Sequence, residues 1–116
     1  MNDQSTTVAE LMSLVDAFIT ERDWMQFHDP KNLSASIAIE AAELMEHFQW
    51  LRTDELDAVR GDAQVMGQVR EELADVLAYV LSFARRMQID LSTALAEKVQ
   101  KNAVKYPAER FQGRYR

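Results

Sequence analysis

The sequence holds no cysteine, two prolines and three glycines among 116 residues. The lack of cysteine excludes disulfides, thiolate zinc sites and thiol nucleophiles. So few turn-formers exclude an all-β fold of many short strands. Cations are in the minority: 13 Lys and Arg stand against 19 Asp and Glu, a net charge of -6. That balance argues against a general grip on nucleic-acid backbone. No apolar run approaches the roughly 20 residues that cross a bilayer. The most apolar stretch, Val76 to Ala84, is interrupted by Ser82. The polar start, Met1 to Thr7, lacks the basic-then-apolar order of a targeting signal. Together these absences predict a cytoplasmic protein that binds neither membrane nor, stably, nucleic acid.

What is present is an ordinary globular balance, 47% hydrophobic and 28% charged. One domain is expected over residues 1–116, with a helical core from about 7 to 107 and a basic tail from 108 to 116.

Four helices are expected. The first opens on a capping box, Thr7-Val8-Ala9-Glu10, and carries Val8, Leu11, Val15 and Phe18 at helical spacing. It fades near Arg22 or Asp23. A loop from Asp23 to Asn32 follows, because the residue before Pro30 is pushed out of helical geometry. The second helix is expected to start at Asn32 or Ser34, with Leu33, Ile37, Leu44, Phe48 and Leu51 as its core stripe. A polar connection runs from Arg52 to Asp62, with room for a short helical turn and a break at Gly61. The third helix, capped by Asp62, carries Val69, Leu73, Val76, Val80, Phe83 and Met87 in a heptad-like seam. Leu77, Leu81 and Ala84 widen that seam. Asp90 caps the fourth helix, which carries Leu91, Leu95 and Val99 and stops at Pro107. The tail from Ala108 has no period. Short links favour antiparallel neighbours, so the expected fold is an all-α, four-helix-bundle-like one. The wide apolar third helix predicts an oligomer that covers it.

The carboxylates are less ordinary. Glu40 and Glu43 lie three apart on the second helix, and Glu72 and Asp75 three apart on the third, so each pair shares a helix face. Both pairs border apolar stripes. If those helices pack, four carboxylates converge, and two charges at 4 Å repel by about 4 kcal/mol at an effective dielectric of 20. A cation removes that cost. An all-oxygen set suits Mg²⁺, Mn²⁺ or Ca²⁺ rather than zinc or copper. A di-iron bundle needs Glu-x-x-His pairs, but Leu44 stands three before His47 and Met25 three before His28. On the fourth helix Lys98, Lys101 and Lys105 line one face, beside Asn102. That face is either a solvated lysine stripe or a phosphate grip opposite the metal.

The order Glu40-x-x-Glu43, then Glu72-x-x-Asp75, resembles the MazG-like all-α nucleoside triphosphate pyrophosphohydrolases. Arg22-Asp23-Trp24, Phe27-His28-Asp29-Pro30-Lys31-Asn32-Leu33, Phe48-Gln49-Trp50 and Lys98-x-x-x-Asn102-x-x-x-Tyr106-Pro107 resemble the dCTP pyrophosphatase branch. The resemblance implies cleavage of a nucleoside triphosphate between the α- and β-phosphates. It implies Mg²⁺, with Mn²⁺ as substitute, on Glu40, Glu43, Glu72 and Asp75, in a homodimer or homotetramer. It also implies a base pocket shaped by Trp24 and Trp50, with His28, Tyr79 and Asn102 as further contacts. Lys98 and Lys101 would steady the leaving pyrophosphate, and Glu43 is the expected residue to orient the attacking water. The two tryptophans are expected as neighbours, the loop from Asp23 to Asn32 folding back over the bundle. The rival expectation is a non-catalytic helical bundle whose acidic stripe docks a basic surface.

Overall fold

The computed structural model describes all residues, Met1–Arg116. Its regular elements are helices α1 (Val8–Glu21), α2 (Pro30–Glu46), α3 (Leu56–Gly61), α4 (Ala63–Met87), α5 (Leu91–Lys105) and α6 (Ala108–Phe111), with short 3₁₀ turns at Met25–Phe27 and Thr53–Glu55. The third and fourth helices expected from sequence are therefore α4 and α5.

Caps explain most boundaries. Thr7 Oγ1 accepts the Glu10 backbone N–H at 3.1 Å and starts α1. The helix ends in a Schellman arrangement: the Trp24 N–H donates to the Ile19 carbonyl and the Asp23 N–H to that of Thr20, both at 3.1 Å. Asp23 takes the positive φ, 54°, that this ending requires.

The start of α2 differs from expectation. Asp29, not Asn32 or Ser34, is the N-cap, accepting the Asn32 N–H at 2.7 Å, and Pro30 is the first helical residue. Proline lacks only a donor that the first turn leaves unused, so Asp-Pro opens the helix here rather than delaying it. Beyond Glu46 the chain tightens to three-residue hydrogen bonding, Phe48 N–H to Met45 carbonyl at 2.9 Å and Leu51 N–H to Phe48 carbonyl at 3.0 Å. The apolar stripe of Phe48 and Leu51 thus continues past the α-helix in a turn. Gly61 closes α3 rather than marking a gap. Asp62 caps α4 by accepting the N–H groups of Gln64 and Val65. The tail, without period in sequence, forms α6 behind Pro107, held by Tyr106 and Phe111 edge to face at 5.3 Å.

The spine of the fold is α4. Asp16 of α1 meets Arg85, His28 lies against Tyr79, and His47 lies against Glu72. Ascending numbers before α4 therefore meet descending numbers along it. α1 packs antiparallel on the C-terminal half of α4, and α2 antiparallel on the N-terminal half. α1 and α2 follow one another along the spine and make little direct contact. The expectation of antiparallel neighbours fails at this link, because the connector from Arg22 to Asp29 carries the chain onward instead of turning it back, and it fails again between α4 and α5, which pack little on each other.

Full burial is confined to five residues, Ile19, Leu33, Val59, Leu81 and Ala84. The radius of gyration is 17.3 Å, against about 13 Å for a compact domain of this length. α5 extends from the spine with little packing against it, so Leu95 and Val99 are exposed, as are Leu73 and Leu77 on α4.

Candidate active site

Packing of α2 on α4 brings the expected acids together. Ligand atoms of Glu40, Glu43 and Glu72 all lie within 4.8 Å of one another, and the three residues are half-buried. Two oxygens, Glu40 Oε2 and Glu72 Oε2, are buried and have no hydrogen-bond partner. Desolvation is the main cause that raises the pKa of both Glu40 and Glu72 above the usual carboxylate value. The Glu43 carboxyl beside each raises them further, and so does the charge of Asp75. Three clustered acids, two of them with a buried oxygen that lacks a partner, have the chemistry of a hard-cation site.

Asp75 stands one helical turn beyond Glu72, outside this tightest convergence. It also lines a cavity of about 150 Å³, together with Val15, Phe18, Ile19, Trp24, His28, Ala78, Tyr79 and Ser82. Asp75 is therefore the residue that joins the acidic cluster to an aromatic cavity. α1 and α4 form the walls, and the connector supplies Trp24 and His28. Trp24 meets Phe18 edge to face at 5.8 Å, and the Arg22 guanidinium lies 3.8 Å above the Phe18 ring. Asn32 ties the connector down by donating to the Phe27 carbonyl and to Asp29 Oδ2, both at 3.1 Å. His28 and Tyr79 ring centres are 6.3 Å apart, and His28 Nδ1 is buried without a partner.

Other expected site residues lie elsewhere. Trp50 is 86% exposed and follows the end of α2, whereas Trp24 precedes its start. The 17 residues of α2 put about 25 Å between those two ends. Within one chain the two indoles cannot sandwich a base, which corrects the expectation that they are neighbours. Lys98, Lys101 and Asn102 are exposed on α5, away from the α2–α4 cluster.

Sequence reasoning set His47 aside because it lacks an acid three residues earlier. It does lie four after Glu43, a helical neighbour spacing, and its Nε2 is 3.9 Å from Glu72 Oε1. In the sequence Phe18 belongs to the apolar stripe of the first helix, and Ser82 interrupts the apolar stretch from Val76 to Ala84. Their place in the cavity depends on how α1 meets α4, for which the sequence carries no signal.

Residues 35–115 match the family model described as MazG-like. The chain is 36% identical over 107 residues to dCTP pyrophosphatase 1 of Rattus norvegicus, covering 92% of this chain and 63% of that protein. It is 37% identical over 102 residues to dCTP pyrophosphatase 1 of Homo sapiens, covering 88% of this chain and 60% of that protein. The chain thus spans less than two thirds of the length of these curated relatives. The crystal structure of a pyrophosphatase from Archaeoglobus fulgidus superimposes with a TM-score of 0.81 at 40% identity, over 92% of this chain and 98% of that one.

Proposed function

Because this chain belongs to the MazG-like family, we propose that it is a Mg²⁺-dependent nucleoside triphosphate pyrophosphohydrolase. The substrate is dCTP or a modified pyrimidine deoxynucleotide, cleaved to the monophosphate and pyrophosphate in the cytoplasmic nucleotide pool. One observation carries this reading. Two buried carboxylate oxygens without partners lie on different helices, and Asp75, whose charge acts on both carboxyls, lines an aromatic cavity.

Glu40, Glu43, Glu72 and Asp75 would hold the cation, which when bound polarises phosphoryl oxygens and offsets the charge of the acids. Glu43 faces both Glu40 and Glu72. Its position beside both supports it as the residue that would also accept a proton from the attacking water. Trp24 offers its indole to the base, and the unpartnered His28 Nδ1 offers a polar contact at the cavity wall. Asp75 borders both the base cavity and the acids, so a nucleotide held there has its phosphates over the cluster.

The faces that one chain leaves open support an assembled form. With five residues fully buried and Leu73, Leu77, Leu95 and Val99 exposed, a homodimer or homotetramer supplies the missing cover. Lys98, Lys101, Asn102 and Trp50 would then complete a site shared between chains, the lysines facing the phosphates.

The test is a pyrophosphate-release screen over common and modified deoxynucleoside triphosphates, with MgCl₂, MnCl₂ or EDTA. Monophosphate and pyrophosphate are expected as products, with no activity in EDTA. Orthophosphate as the first product, or no turnover of any triphosphate, overturns the proposal.

A further inference from the structure

The aromatic cavity lies between two helices that almost nothing directional holds together. Val15, Phe18 and Ile19 of α1 form one wall, and Ala78, Tyr79 and Ser82 of α4 the other. Its width is therefore the spacing between α1 and α4. Packing between them is apolar, and the hydrophobic effect behind it is non-directional. One contact is directional. Arg85 donates from a guanidinium nitrogen to Asp16 Oδ2 at 3.0 Å. This is the one side-chain hydrogen bond between α1 and α4.

The pair is placed at the cavity's far end. Asp16 follows Val15 and precedes Ile19 by three, so it flanks the α1 wall. Arg85 follows Ser82 by three, one turn along the α4 wall. A second cavity of about 270 Å³ opens there, lined by Asp16, Met25, Arg85 and Arg86 and sharing Ile19, His28 and Ser82 with the first. The two cavities meet at Ile19, His28 and Ser82, and the ion pair is the polar cross-link between α1 and α4 beyond them. Trp24 is carried on the Schellman ending of α1, so any slide of α1 moves the indole with it.

We infer that Asp16 and Arg85 form a positioning pair that sets the α1–α4 spacing and thereby holds Trp24 and His28 at the width a base requires. This inference rests on the proposed nucleotide site. The pair touches neither the acidic cluster nor the reacting phosphate, so it governs base binding and leaves the chemical step alone.

The experiment is a double-mutant cycle of Asp16→Asn and Arg85→Gln in the full chain, run on the best triphosphate found for the unaltered protein. Each single variant should raise KM about two- to fivefold, the range of a partly exposed ion pair, with kcat and Mg²⁺ affinity within about twofold. The double variant should be no worse than either single one, because the second change removes a contact already lost. In a Trp50→Phe background, acrylamide should quench the remaining Trp24 more strongly in each variant, with no nucleotide present. Unchanged KM and quenching, additive losses, or a fall in kcat at unchanged KM would each overturn the inference. Arg85 is half-exposed, so Arg85→Gln keeps the test available if Asp16→Asn does not fold. Failure of the nucleotide reading looks different: the unaltered protein then turns over no triphosphate, while the quenching arm still reports on the pair.

Discussion

Glu40 on α2 and Glu72 on α4 each present a buried Oε2 with no hydrogen-bond partner, in a cluster whose ligand atoms lie within 4.8 Å of one another. A pair of this kind opposes folding when both groups are charged and serves binding when a cation joins them. Stability without metal and activity with it should therefore respond in opposite directions to the same substitution.

Glu40→Gln should leave the metal-free protein as stable as before or more so, since one of the clustered charges is gone. The same variant should lose the rise in Tm that MgCl₂ brings, which corresponds to about 2.7 kcal/mol of added stability at a hundred times Kd. Its activity should fall on the order of 100-fold or more, the equivalent of several kcal/mol of charge stabilisation. Thermal melts with and without MgCl₂, beside a turnover assay, check all three. A metal-independent loss of Tm would make Glu40 a structural residue.

Trp24→Ala should raise KM for the preferred nucleotide while the protein stays folded and assembled. A stacked base contributes about 1–3 kcal/mol, so the rise should lie between roughly 5- and 100-fold. Steady-state kinetics with circular dichroism as the folding control decide it. Unfolding, or an unchanged KM, would leave the indole with only its packing against Phe18.

Light scattering should give a multiple of the 13.3 kDa chain mass. Leu95→Glu or Val99→Glu should shift that mass downward, because each places a charge on an apolar face left open on α5. A monomer at working concentration would mean that the extended single chain is the functional form.

Thr93 donates its hydroxyl to Asp90 Oδ2 at 2.6 Å and its backbone N–H at 3.0 Å. These bonds hold the Asp90 carboxyl below its usual value of 3.8. A lowered value means the cap stabilises fully above the unfolded value and is lost as pH falls through the folded one. Asp90→Ala should therefore lower Tm at pH 7, and the gap to the unaltered protein should narrow in acid, below 3.8. α5 has little tertiary packing to replace its cap. A gap that does not change with pH would place the effect in packing rather than in the carboxylate.

Much of this protein is legible in one dimension because the relevant forces are local. Thr7, Asp62 and Asp90 cap helices from where they stand in the chain. Helical period puts Glu40 beside Glu43 and Glu72 beside Asp75 whatever surrounds them. The absence of cysteine and the scarcity of glycine restrict the chemistry and fold class before any packing is considered. Asp29-Pro30 was harder, since the same dipeptide that ends a helix also begins one, and only the captured Asn32 N–H tells which.

What tertiary structure alone decided is direction and spacing. The positive φ of Asp23 and the turn at Met25–Phe27 send α2 onward along α4. That change of course brings Asp75 to the shared border of the acids and the aromatic cavity, and Asp16 to Arg85 across 69 residues of chain. Periodicity says which residues share a helix face; it carries no information on which face of another helix they meet. That choice is made by long-range packing, whose energy depends on the whole chain and on no single motif.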